Sequence, residues 1–456
     1  MFSKKDLQKL IIPLIIEQLL GISVGMFDTI MISSLGESAV SGVSLVDMLN
    51  VLMINIFAAL ATGGAVICAY ELGKIKKLME QDTSVKNDFP GARSAAKQLL
   101  IVLLVASILV AGLALFFRVG LLRLCFGAIE DDVMANALTY FVISAISYPF
   151  IAIYNGLAAL FRTMGNSKIT MIASFFMNLL NICGNALFIY VFNWGVAGAA
   201  WSTTISRFLG MLLLFVIISN KNHEIYINLR EKFRLDFHVM KKILGIGIPG
   251  SLENSVFQLG RILVISMIAG FVTAQVAANA VANNLDSLGC IPGQALGLAV
   301  VTVVGQCIGA GDYDSARQYE QKLLKFAYIS MAVVNILILV SLPLSLKLYN
   351  LTKETLELAA ILVILHDGFA MIFWPTAFVL PNALRAAQDV RFTMVVSIFS
   401  MIAFRIFFSW VIGVRFGMGI IGVWIAMIID WVFRGGLFIW RVRSGRWLTH
   451  VKPKNS

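Results

Sequence analysis

The chain has 456 residues, of which 59% are hydrophobic and only 13% charged, and it carries a net charge of +11. Soluble domains average roughly 45–50% apolar and 25% charged residues, so a soluble globular protein is excluded and the composition is that of a polytopic membrane protein. The basic excess would suit a nucleic-acid partner only if it were gathered on one face or arm, and it is not.

Taken in chain order, stretches of about 20 apolar residues, enough to cross a bilayer at about 1.5 Å per residue, predict twelve transmembrane helices. They cover 10–33, 44–72, 95–124, 134–161, 169–193, 197–219, 243–270, 278–308, 321–349, 357–383, 393–416 and 420–443. The opening MFSKKDLQKL runs straight into a full-length span without a small-residue cleavage site, so the first helix is expected to stay as a span.

The first span carries two carboxylates, Glu17 and Asp28. Their separation of 11 positions puts both on one helix face, about 16 Å apart. A charge in hydrocarbon costs several kcal/mol unless it is paired, hydrated or protonated, and Asp28 in GISVGMFDTIMISSLG has only Gly, Ser and Thr as polar company. Asn178, Asn181 and Asn185 form a stripe at i, i+3, i+7 on the fifth span, and Thr203 follows in the sixth. Counted from the outer span ends, Asp28, Asn185 and Thr203 lie about 7, 12 and 9 Å deep, in one layer. Asp28, Asn181 and Asn185 can thus supply oxygens for Na⁺, or a network whose hydrogen bonds change when Asp28 takes a proton. Asn178 reads instead as a hydrogen bond to a neighbouring helix, the usual role of an amide in a bundle.

In the seventh span Glu253 stands four residues after Pro249, and in the tenth Asp367 follows His366. Glu253 and Asp367 are second-half candidates for a cation or substrate site. Arg261 is i, i+8 from Glu253, about 12 Å along the helix and out of pairing reach. Asp430 and Arg434, at i, i+4 in the twelfth span, are expected to form a structural ion pair. The five cysteines are irregularly spaced and read as free thiols. No metal-ligand cluster and no GxxxxGK[ST] phosphate loop occurs, so the chain is not expected to be an enzyme, to need a cofactor or to be driven by ATP. The 32 Phe and 19 Met residues suit a lining for flat organic cations.

Sliding the sequence by 236 places IPLIIEQ (12–18) on IPGSLEN (248–254) and Gly73 on Gly309, with 11 identities in 62 positions and no gap. RTMGNSKITM (162–171) likewise aligns with RAAQDVRFTM (385–394). The fold class is therefore an all-α membrane protein of two pseudo-symmetric six-helix halves, 1–219 and 243–443, with a cytoplasmic linker 220–242 and a tail 444–456. Each half has an even number of spans, so the repeats are parallel, an arrangement of transporters with a midplane substrate site. Of the 36 Lys and Arg residues, 27 fall in the odd-numbered turns and termini, five on the opposite side and four within spans. By the positive-inside rule both termini are cytoplasmic in a cell (plasma or inner) membrane.

Four stretches carry a resemblance to a known family: IPLIIEQLLGISVGMFDTIMISSLG in the first span, GQCIGAGDYDSAR after the eighth, LRAAQDVRFTM after the tenth, and NICGNALFIY with GVAGAAWSTTIS across the fifth and sixth. In this order they resemble the multidrug and toxic compound extrusion transporters over nearly the whole chain. The resemblance implies a secondary antiporter that exports cationic or amphipathic organic compounds as Na⁺ or H⁺ enters, by alternating access, as a monomer. It implies that Asp28 is a coupling residue and that the helix can hinge at Pro13. Relatives often carry an Asp where this chain has Asn185, in an NIxxDP context that here reads NICGNA, so Asp28 is left as the charged coupling group. The alternative is a flippase of a lipid-linked saccharide on the same superfamily fold, which would call for extra spans and a basic cavity.

Overall fold

The computed structural model describes residues 2–82, 88–127, 130–228, 234–349 and 351–451, and these are helical with no β-strand among them. The linker 220–242 is described except for 229–233, and the tail to Val451. The helices are α1 (Lys4–Ser33), α2 (Glu37–Gln81), α3 (Pro90–Phe116), α4 (Arg118–Phe126), α5 (Asp131–Ile146), α6 (Tyr148–Thr163), α7 (Ser167–Asn185), α8 (Gly195–Ile218), α9 (Phe237–Ala269), α10 (Thr273–Gly289), α11 (Ile291–Gly309), α12 (Tyr313–Leu346), α13 (Lys353–Trp374), α14 (Leu380–Ala386), α15 (Val390–Ser400) and α16 (Gly419–Arg443). Among the described residues, eleven helical stretches are long and apolar enough to cross a membrane, and α5 with α6 makes a twelfth when the pair is counted as one span.

The start of α1 shows how local chemistry sets an element. The Ser3 hydroxyl accepts from the Asp6 N–H at 3.2 Å while the Asp6 carboxylate accepts from the Ser3 N–H at 2.9 Å, a reciprocal cap of otherwise orphaned donors. The helix then runs unbroken through Pro13.

Three expected single spans are interrupted. The fourth bends by 47° at Ser147, where Pro149 in the first turn of α6 removes a backbone donor and disfavours helical geometry in the residue before it. Pro292 accompanies a break at Cys290 between α10 and α11. The third breaks at Phe117, between α3 and α4. The fifth and eleventh spans finish in π-helical runs, Ala186–Val191 after α7 and Met401–Phe407 with Ser409–Arg415 after α15, and another, Pro375–Val379, joins α13 to α14.

The chain divides into two compact units, 1–251 and 252–456. In the first, α2 packs against α3, α5 and α6, while α7 packs against α1 and α8. Glycine lets backbones meet: a Cβ on Gly63 would lie 2.6 Å from the Ile243 carbonyl oxygen. In the second unit the largely buried α11 packs on α12 and α14, and α16 packs against α13 and the Ser409–Arg415 run. A Cβ on Gly422 would lie 2.8 Å from the Gly413 nitrogen, whereas Gly436, farther along α16, has nothing within 4 Å.

Gly422→Ala should therefore lower thermal stability in detergent by about 1–3 kcal/mol, because the clash is with backbone and cannot be relieved by a rotamer change. Gly436→Ala, which only improves helix propensity, should leave the melting temperature unchanged or slightly raised. Equal melting of the two variants would contradict the close packing of α16 on the π-helical run.

Candidate functional site

In the first unit α1 and α7 are joined by three polar contacts, one at each level of the expected stripe. Thr170 Oγ1 donates to Glu17 at 2.6 Å, Asn178 Nδ2 donates to the Leu20 carbonyl at 3.0 Å, and Asn185 Nδ2 donates to Asp28 Oδ1 at 2.5 Å. Asn178 thus joins α7 to the backbone of α1. Asn181 turns toward α8, where its Nδ2 donates to Thr203 Oγ1 at 3.0 Å while its backbone carbonyl accepts from Ser202 Oγ at 2.7 Å. Helices α7 and α8 are close because Gly184 has no side chain: a Cβ there would meet Ser202 Oγ at 2.5 Å.

The side-chain oxygens of Asn181 and Asn185 are buried and have no hydrogen-bond partner. Buried acceptors without donors are uncommon in proteins generally, and this structure has others, among them Gln98 Oε1 and Asn335 Oδ1. Here two of them lie on one helix stripe, and the amide of one touches the Asp28 carboxylate.

The site extends beyond the residues that the sequence pointed to. Asp47 on α2 accepts from Asn50 Nδ2 at 3.2 Å, and Tyr148 Oη donates to Asn50 Oδ1 at 2.9 Å. The Tyr140 hydroxyl is within reach of both Asp47 and Thr203. Arg207 donates to Ser147 Oγ at 2.7 Å, at the bend between α5 and α6, and its charge acts on Asp28 and Asp47 alike. Two carboxylates and one guanidinium thus share one electrostatic neighbourhood, linked by Tyr, Asn and Thr side chains. The available signal was Asp47-x-x-Asn50, a further carboxylate inside a span, together with Arg207, a basic residue in the middle of the sixth span.

In the second unit Glu253 and Asp367 have separate partners. Glu253 is buried and its Oε1 accepts from Ser397 Oγ at 2.6 Å and pairs with Arg385 at 2.8 Å and Arg434 at 3.7 Å. Arg385 also donates to Asn382 Oδ1 at 2.8 Å, and Arg434 stacks 4.6 Å over the Phe378 ring. The expected pair of Asp430 with Arg434 is not formed. Arg434 turns instead to Ser397 at 2.9 Å and to Glu253, and Asp430 accepts from Ser400. Helical spacing brings residues i and i+4 to one face, but a three-way contact from two other helices outweighs it. Asp367 lies with His366 and with Asp286 of α10, a residue the sequence reading missed.

The MatE family model matches residues 13–187 and 249–411. Among relatives, the uncharacterized transporter YisQ of Bacillus subtilis is 27% identical over 96% of this chain and 93% of its own length. The probable multidrug resistance protein NorM of Thermotoga maritima is 24% identical over 97% of this chain and 93% of its own. Among solved structures, an outward-facing multidrug resistance MATE family transporter of the MOP superfamily superposes with a TM-score of 0.86 at 22% identity, covering 97% of this chain and 96% of that one. A crystal structure of MATE in the bent conformation gives 0.85 at 23% identity over the same shares. At this identity the structural likeness speaks for the fold.

The arginine cradle of Glu253 has a direct test in stability. Arg385→Ala should destabilise the folded chain by about 1–3 kcal/mol, because it takes the closer of two guanidinium partners from a buried carboxylate, and adding Glu253→Gln should restore most of the loss. Thermal unfolding of the single and double variants in detergent would reveal the coupling, and additive losses would refute it.

Proposed function

The chain belongs to the MatE family of membrane transporters, and from that premise we propose that it exports cationic or amphipathic organic compounds in exchange for Na⁺ or H⁺. It acts as a transporter and not as an enzyme. The observation that carries the ion coupling is the pair of unpartnered, buried amide oxygens of Asn181 and Asn185 beside the Asp28 carboxylate. Oxygen donors of this kind suit a hard monovalent ion. A proton on Asp28 would equally remove the charge whose burial is costly.

The coupling then works through one carboxylate. With Asp28 charged, the Asn185 amide donates to it and ties α1 to α7. When an incoming cation neutralises Asp28, that hydrogen bond weakens from a charge-assisted to a neutral one, which loosens the contact between the two helices. Asp47 and Arg207 set the field in which this happens. Thr203 acts by holding Asn181 in place. Pro13 is the point where α1, lacking one backbone hydrogen bond, bends most easily. The name of the Thermotoga maritima relative, a probable multidrug resistance protein, and the abundance of Phe and Met residues support organic cations as substrates. Alternating access between two six-helix halves, and a monomer in the cell membrane with cytoplasmic termini, complete this reading.

Proteoliposomes loaded with a fluorescent organic cation and subjected in turn to imposed Na⁺ and pH gradients would test the coupling. Asp28→Asn should insert normally and lose gradient-driven efflux by about tenfold or more, since its site no longer carries a charge. Asn185→Asp should strengthen the dependence on the cation. Normal gradient-driven efflux by Asp28→Asn would remove this carboxylate from the coupling.

Orientation has its own measurement. A single cysteine placed at Asn222, in a chain whose native cysteines are replaced, should resist an impermeant maleimide in intact cells and react after permeabilisation. Ready labelling from outside would invert the topology.

A further inference from the structure

Within the second unit, three donors from α10 and α13 converge at a point that the efflux reading does not use. His366 Nδ1 lies 2.9 Å from Asp367 Oδ1 and 3.4 Å from Asp286 Oδ1, and ligand atoms of all three residues fall within 4.8 Å of one another. All three side chains are buried: Asp367 is 0%, Asp286 4% and His366 5% exposed. Neither oxygen of Asp286 has a hydrogen-bond partner, nor has Asp367 Oδ2.

Two other buried carboxylates of this unit, Glu253 and Asp430, also have one oxygen without a hydrogen-bond partner, but each has a hydroxyl donor and a guanidinium charge beside it. Glu253 has two arginines and a serine, and Asp430 has Ser400 and the charge of Arg405. Asp286 and Asp367 instead face each other across an imidazole, a charge of −2 in an apolar bundle when both are ionised and the ring is neutral. Two such carboxylates repel strongly unless they share a proton or a cation lies between them.

We propose that Asp286, His366 and Asp367 bind one first-row divalent cation of the Zn²⁺ or Mn²⁺ class. Geometry supports this class. His366 Nδ1 and Asp367 Oδ1 form a hydrogen bond at 2.9 Å that a metal would replace, and the 2.9 and 3.4 Å separations from Nδ1 span those of ligands about 2.1 Å from one metal, about 3.0 Å in an octahedral shell and about 3.4 Å in a tetrahedral one. Charge supports it too: a dication brings the cluster to neutrality, whereas a monovalent ion leaves −1 in a low-dielectric interior. The imidazole selects a transition metal over Na⁺, which prefers oxygen donors alone.

The surroundings hold the ligand set in place. Trp424 and Trp431 meet the His366 ring edge to face, with centroids 5.6 and 5.1 Å away, and Trp424 Nε1 is itself fixed by Asn279 Oδ1 at 3.0 Å. Such outer contacts orient a metal-binding imidazole and exclude water. The first half does not repeat the site. The 236-residue shift puts Asn50 on Asp286, and Asn50 is satisfied by Asp47 and Tyr148. Bound metal would cross-link α10 to α13.

The test uses the full-length, tag-free chain in detergent and involves no transport, so its outcome is independent of the efflux reading. Calorimetric titration with Zn²⁺ or Mn²⁺ should show one site per chain, unaffected by excess Na⁺. Asp286→Asn and His366→Asn should each weaken it by about tenfold or more. The chain has only four histidines. A variant with His223, His238 and His450 replaced by Asn, loaded with Cu²⁺ as a paramagnetic probe, should therefore show coupling to one imidazole nitrogen. This last readout stands even where the ligand variants fail to fold. Absence of metal binding, binding undiminished in both ligand variants, displacement by Na⁺, or no nitrogen coupling would each overturn the proposal.

Discussion

Charge in hydrocarbon is the constraint from which this molecule's interior follows. A carboxylate inside the bundle must be given a partner, and the chain uses a different one at each place. Asp28 has a neutral amide, Glu253 a pair of guanidinium groups, Asp430 a serine hydroxyl, and Asp286 with Asp367 only each other and an imidazole. These solutions differ in how firmly the charge is settled. Glu253 is held in a closed ion-pair network, which is costly to disturb and binds α9, α14, α15 and α16 together. Asp28 has a single neutral donor, so its charge is less firmly settled than that of Glu253.

Much of the fold was legible because it depends on composition and spacing. Span length, the bias of basic loops and the internal shift all survive without three-dimensional contacts. The nearness of Asp28 to Asn185, and of Asn181 to Thr203, was within reach of the sequence, since position along a helix is arithmetic. What escaped was register between helices. Asp47, Tyr140 and Arg207 come from three different spans, and nothing in their local sequence says that they face one neighbourhood. The same reason hid the partners of Glu253, of which Arg385 is 132 and Arg434 181 positions away. Asp430 and Arg434 illustrate the converse: a spacing rule suited to an isolated helix gave way to tertiary contacts.

The repeat has kept shape while releasing charge. The Ser409–Arg415 π-helical run begins 223 positions after Ala186, where the first-half run begins, which is the same shift that aligns RTMGNSKITM with RAAQDVRFTM. Both halves therefore widen their fifth helix at one place. In contrast Asp28 has a valine, Val264, at its shifted position, and Asn50 has Asp286. The backbone irregularity is duplicated, and the chemistry around it has diverged.

The run that follows Asn185 has a mechanical meaning of its own. A π-helical stretch accommodates one residue more than an α-helix in the same number of turns. If that surplus is absorbed elsewhere along the helix, everything on one side of it turns by about 100° and shifts by about 1.5 Å relative to the other side. Asn185 is the last α-helical residue before the surplus. It thus sits at the junction, and a surplus that migrated past it into α7 would rotate its amide relative to Asp28 while the residues before the surplus's new position kept their own orientation.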